Sequence, residues 1–139
     1  MFGKLILKPL INSPKIFVEK FFVLPVIDTE SQIRIDFIFS DSRFEKNAIK
    51  RARNVLILNK KIRFASPEDV IIQKIISGRP RDLEDALTVL IKQRRLNIEY
   101  IIKWLNEFEK ILNISLLKIF NQLLKECKIK KQSVRKKYV

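Results

Sequence analysis

The sequence predicts an α+β fold: a small mixed β-sheet packed by helices, with a helical C-terminal half. Three observations point there. Gln32–Ser40, QIRIDFIFS, alternates in the two-residue period of a strand. Beyond Ser66, apolar residues recur at helical spacing behind a strong start signal, SPED. Strand patterns come first and helix patterns last, the order of an α+β chain.

Taken in order, residues 1–15 read as a basic, apolar lead-in broken by Pro9 and Pro14. Phe21–Ile27, FFVLPVI, is β-branched and aromatic. Pro25 lacks an N–H donor, which predicts that this strand lies at an edge or ends near it. Asp28–Ser31, DTES, forms turns readily. In Gln32–Ser40, Ile33, Ile35, Phe37 and Phe39 share one face, and Arg34, Asp36 and Ile38 the other. Asp41 or Ser42 can cap a helix in which Phe44, Ala48 and Ala52 repeat every four residues. VLILNKKIRFA reads as a hairpin turning at Asn59–Lys60.

Ser66 as N-cap, Pro67 at the first helical position and the acids Glu68 and Asp69 open the next helix. Gly78 stops it. Pro80 starts another, to about Gln93. Two amphipathic helices follow, about Ile98–Ile111 and Ser115–Lys128. KIKKQSVRKKYV ends the chain as a frayed basic tail. The expected organisation is an α/β core over 1–93, a helical hairpin over 94–128 and a tail over 129–139.

Composition narrows the chemistry. There is no histidine and one cysteine, Cys127. That excludes histidine triads, nearly every zinc-site type and an intrachain disulfide, and it fits a cytoplasmic protein. No apolar run reaches the ~18–20 residues of a membrane span. The net charge of +14 is concentrated: residues 43–63 hold eight Lys/Arg against one acid, and residues 125–139 hold seven against one. Two basic segments in a near-neutral remainder suggest a polyanion partner such as nucleic acid. Lys50, Arg51, Arg53, Lys60, Lys61, Lys130 and Lys131 are the candidate contacts. The alternative is a solvated basic face.

Other polar residues stand out by position. Asp36 is a carboxylate in a strongly apolar strand. Either it is functional, or its face is wet and Arg34 is its partner. Lys74 lies at the edge of an apolar helix, where a lysine can snorkel. Asp82 and Asp85 neighbour each other on one helix surface, and Asp82 also sits where an acid complements a helix dipole. Arg79 and Arg81 flank Pro80 at a helix start, a place that could hold a phosphate.

Together these residues resemble a known family. IRIDFIFSDSRFEKNAIKRA, a hairpin and ASPEDVIIQKIISGRPRDLEDAL are similar to the C-terminal half of a minimal nucleotidyltransferase, in the abortive-infection toxin branch (AbiEii/AbiGii-like). The resemblance covers roughly Val23 to Ile91. It implies that Asp36 is a catalytic, metal-binding carboxylate and that Lys74 is catalytic and meets nucleotide phosphates. It places Arg79, Asp82 and Asp85 in the remaining polar positions of a nucleotide site. It implies Mg²⁺ as cofactor if the protein is active, since Mg²⁺ takes carboxylates and waters and needs no histidine. The Gly-Ser helix start and Asp-x-Asp strand of that superfamily do not precede Asp36. The expectation is therefore a start upstream of Met1, or a shortened relative. The function expected is nucleotidyl transfer to a nucleic acid or protein acceptor, tRNA among the candidates. The alternative is a non-catalytic nucleic-acid-binding or toxin–antitoxin partner module. A homodimer or a cognate antitoxin is the protein partner expected.

Overall fold

The computed structural model describes residues 6–137, the side chains of 133–137 excepted. Its element order is β1 (Leu7–Pro9), α1 (Pro14–Phe21), β2 (Val23–Asp28), β3 (Arg34–Ile38), α2 (Arg43–Arg51), β4 (Arg53–Ile57), β5 (Lys60–Phe64), α3 (Pro67–Ser77), α4 (Pro80–Lys92), α5 (Ile98–Leu112) and α6 (Leu116–Lys137). The class is α+β. The strands form two antiparallel sheets, β1-β2-β3 and β4-β5, where one mixed sheet was expected. The β2–β3 and β4–β5 links are short, and a short connection can join only antiparallel neighbours, whereas β1 reaches β2 through α1.

The chain divides into two compact units, 1–46 and 47–139. The boundaries expected at 93 and 128 both fall inside the second. Helix α2 crosses the boundary, opened by reciprocal bonds between Ser42 and Glu45: Ser42 N–H donates to the Glu45 carboxylate at 3.1 Å, and Glu45 N–H donates to Ser42 Oγ at 3.1 Å.

In the first unit, β2 is the central strand, with Pro25 opposite Asp36 of β3. This corrects the expectation of an edge. Pro25 lies one residue past the three β1–β2 pairs, and its carbonyl accepts from Leu10 N–H at 3.0 Å. A residue of an antiparallel strand points N–H and C=O to the same side. The missing donor therefore falls on the β1 flank, where that ladder ends. The turn after β2 is held by Asp28, whose carboxylate accepts Ser31 N–H at 2.9 Å. Helix α1 was not expected. Pro14, read as a break, is instead its first residue. Strand β3 is shorter than its sequence pattern, and Ile33, Phe37 and Phe39 remain exposed.

In the second unit, α3 packs on α4, α5 and α6, and α6 also packs on α4 and α5. The core is aliphatic with few aromatics. Ile71, Ile72, Ile75, Ala86, Ile101, Leu105 and Phe120 are sealed from solvent. Each large side chain so buried contributes about 1.5–3 kcal/mol. Helix α6 continues as helix to Lys137, through most of the expected frayed tail. Residues 138–139, including Tyr138, lie outside the described residues. The hairpin β4–β5 turns at Leu58–Asn59, one residue earlier than expected, with φ of 48° and 63°.

A polar network ties the helices together. Asp69 is fully buried at the start of α3. Its backbone N–H donates to the cap Ser66 Oγ at 3.2 Å. Its carboxylate accepts Tyr100 O–H of α5 at 2.7 Å and Arg51 Nε of α2 at 3.3 Å. Tyr100 Oη also accepts Asn47 Nδ2 at 2.9 Å, and the Arg51 guanidinium lies 3.9 Å from the Tyr100 ring centre. Neighbouring Glu68 accepts Asn97 N–H at 3.0 Å and Arg51 Nη2 at 3.3 Å. Burial pushes the Glu68 pKa up, but the Asn97 N–H, further hydrogen bonds and Arg51 outweigh it and leave it lowered.

Two outcomes follow from this network. Asp69→Ala takes the acceptor from the Tyr100 hydroxyl and leaves Arg51 to Glu68 alone, and it should cost about 3–5 kcal/mol, against about 1–3 kcal/mol for Tyr100→Phe, read from urea unfolding midpoints. Burial, then the hydrogen bond to Asp69, pushes the Tyr100 phenol up to about 12 from an ordinary value of 10.0. Because the unfolded chain releases that proton first, stability should fall as pH rises through this window. Tyr100→Phe should flatten that alkaline limb.

Candidate functional site

The corner between α3 and α4 gathers the polar residues that the sequence singled out in this unit. Gly78 makes the corner possible. It adopts φ +65° and caps α3 by donating its N–H to the Lys74 carbonyl at 3.2 Å. Pro80 then fixes the first turn of α4. This tight link folds the start of α4 back toward the last turn of α3, so Lys74 meets acids eight and eleven residues later.

Lys74 Nζ donates to Asp82 Oδ1 at 2.6 Å and to Asp85 Oδ2 at 2.8 Å. Asp82 is buried; its second oxygen accepts Ser77 Oγ–H at 2.5 Å and Arg79 Nε–H. Arg79 Nε also donates to Ser77 Oγ at 2.9 Å. The hydrogen bonds from Lys74, Ser77 and Arg79 hold the Asp82 carboxyl far below the ordinary 3.8. Those to Asp82 and Asp85 raise the Lys74 ammonium in turn. Two cations and two carboxylates thus cancel within one hydrogen-bonded cluster.

Asp36 belongs to the other unit. It accepts Arg34 Nε–H at 3.0 Å on an exposed face, with the carboxylate side chain 43% accessible. This is the arrangement of a wet sheet face with Arg34 as partner. Among the described residues, no group of three or more Asp, Glu or Cys side chains converges as a metal site would require. Mg²⁺ is held by one or two carboxylates with waters and phosphates, and the single carboxylate of Asp36 is engaged by Arg34 instead.

The basic candidates are differently placed. Arg51 is committed to Glu68 and Asp69. Arg53 stands 3.9 Å from Glu68 and is mostly exposed. Lys50, Lys60 and Lys61 are exposed, the last two at the hairpin tip. Lys130 pairs with Glu126 at 3.1 Å. Lys131 Nζ reaches the Gln93 carbonyl at 3.4 Å. Phe44 is buried and presents no ring for stacking on a base.

Sequence reasoning did not single out Arg94 and Lys128. With Lys131 they line a hollow of about 270 Å³ between the end of α4 and α6, floored by Leu90, Leu96, Leu124 and Cys127. The signal was present in Gln93-Arg94-Arg95 and in the spacing of Lys128 and Lys131 on one helix face. Nothing local says that these two segments meet. Comparison with known proteins gave no matching family model, no matching curated protein and no matching solved structure.

The depressed Asp82 carboxyl has a pH consequence. Its stabilisation is complete above the unfolded value of 3.8 and is lost as pH falls through the lower folded value. Urea midpoints measured down an acid series should therefore drop below that point. Asp82→Asn, less stable at neutral pH, should show a shallower drop.

Proposed function

We propose that this chain is a nucleotidyltransferase-like module that binds nucleic acid, RNA such as tRNA being the class that fits, without transferring nucleotides by itself. The observation that carries the reading is a contrast between two groups of cations. Lys74 and Arg79, where the resemblance puts a nucleotide site, are neutralised by Asp82 and Asp85 at hydrogen-bond distance. A triphosphate would have to compete with both carboxylates for the ammonium. Arg94, in the link after α4, and Lys128 and Lys131, both on α6, by contrast meet at one hollow that no acid lines among the described residues.

Three cations around a shallow recess suit a phosphodiester backbone, which needs point charges more than shaped pockets. Helix α6 extends the array: Lys125, Lys128 and Lys131 recur every third residue and are exposed. Base stacking is not provided for there, so recognition rests on charge and carries little sequence preference. Among the described residues no helix is long and apolar enough to cross a membrane. Together with the unpaired Cys127, this supports a cytoplasmic setting.

Filter binding of a short single-stranded RNA over a salt series tests the reading. Affinity should fall steeply with salt. The triple variant Arg94→Glu, Lys128→Glu, Lys131→Glu should flatten the log–log slope by about 2. Incubation with labelled triphosphates, Mg²⁺ and bulk tRNA should give no labelled product. Salt-independent binding would sink the electrostatic site. Metal-dependent labelling abolished by Asp36→Ala or Lys74→Ala would replace this reading with the enzymatic one.

A further inference from the structure

The hairpin β4–β5 stands apart from the helical core in one respect: every residue of both strands is exposed. Cross-strand partners point to the same face, so the register sorts the side chains. Val55 and Ile62 pair on one face, flanked by Phe64 and Ile57, and these four are 41–45% accessible. On the other face Leu56, 65% accessible, pairs with Lys61. The sheet has two strands, so each has an outer edge with no strand on it among the described residues.

Such a ribbon is marginal in water by itself and gains from a third strand. An exposed apolar strand edge is also a surface that proteins ordinarily cover. Charge identifies what covers it. Arg53, Lys60, Lys61 and Arg63 lie on the ribbon, and no Asp or Glu occurs between Glu45 and Glu68. We propose that β4–β5 is a docking edge for an extended, acidic strand of another protein, one that alternates carboxylates with aliphatic side chains. Backbone hydrogen bonds give such strand addition its affinity, and alternate side chains give its specificity. Here the aliphatic residues of the partner cover Val55, Ile62 and Phe64, while its carboxylates meet the basic rim.

Two other occupants fit less well. Nucleic acid would satisfy the charge but leave the aliphatic groups uncovered, since these neither stack on bases nor hydrogen-bond to them. A second copy of this chain would bring like-charged ribbons together on molecules of net charge +14.

A fluorescein-labelled peptide of about eight residues alternating Glu with Val is the probe, with its Lys-for-Glu counterpart and a short single-stranded RNA as further arms. Anisotropy should show binding of the acidic peptide and none of the basic one. Hydrogen exchange should slow over residues 53–64 when the acidic peptide is present. Ile62→Glu and Lys61→Glu should each weaken peptide binding by about tenfold, and Ile62→Glu should leave RNA affinity within a factor of about two. Thermal melts check that both variants fold; should Ile62→Glu fail, Lys61→Glu decides. Absence of acidic-peptide binding, or equal binding of the basic peptide, overturns the proposal. Loss of most RNA affinity in Lys61→Glu would give the ribbon to nucleic acid. A sedimenting dimer that Lys61→Glu dissociates would give it to a second copy. In either case the α6 hollow is judged separately by its own triple variant.

Discussion

The buried carboxylate of Asp69 is the constraint on which the helical unit depends. A charge sealed inside a protein is tolerated only where donors replace water. Asp69 meets that demand from three directions: the cap at Ser66, the phenol of Tyr100 and the guanidinium of Arg51. Each donor sits on a different segment. Satisfying one carboxylate therefore fixes the start of α3, the first turn of α5 and the end of α2 relative to each other. The aliphatic core supplies more free energy, but isoleucines and leucines tolerate several packings. The polar network accepts few, which gives the apolar helices one arrangement.

The α3–α4 corner is built differently and points to a different role. Its charges are partly exposed and cancel locally, so they close the corner without creating a field outside it. Read along the chain, Lys74, Arg79, Asp82 and Asp85 look like four site residues. Read in space, they are each other's ligands. A substrate at the same residues would have to compete with those internal partners.

Much of the fold was legible because local signals coincided. Ser66, Pro67 and Gly78 mark both ends of α3 through caps, which depend on neighbouring residues alone. Gly78 followed by Pro80 likewise fixed the helix break. What was misread depended on partners elsewhere. Pro14 breaks one pattern but starts another, and only the lead-in read as featureless hid α1. Pro25 is acceptable in a central strand because β1 is too short to need its donor, a fact about β1. Leu58 occupies a positive-φ turn position where Asn59-Lys60 was the stronger local signal; register with β5 decided it. Arg51 read as a surface cation because its acids lie 17 and 18 residues away. The expected likeness to nucleotidyltransferases rested on the spacing of residues along the chain, and spacing by itself could not reveal that Lys74 and Arg79 pair with Asp82 and Asp85.

The reach of the Asp69 network bears on how the unit is assembled in time. Its partners lie 18 and 31 residues from it in sequence. Helix α3 cannot bury its first turn until both have arrived, because an early, half-formed bundle would hold a desolvated carboxylate with nothing to answer it. Partly docked helical intermediates are thereby penalised, and docking of α2 and α5 becomes coupled. The barrier to folding then lies where three distant segments converge rather than in the growth of any single helix. A bundle that could have zipped up helix by helix is made to close cooperatively, with one side chain as its checkpoint.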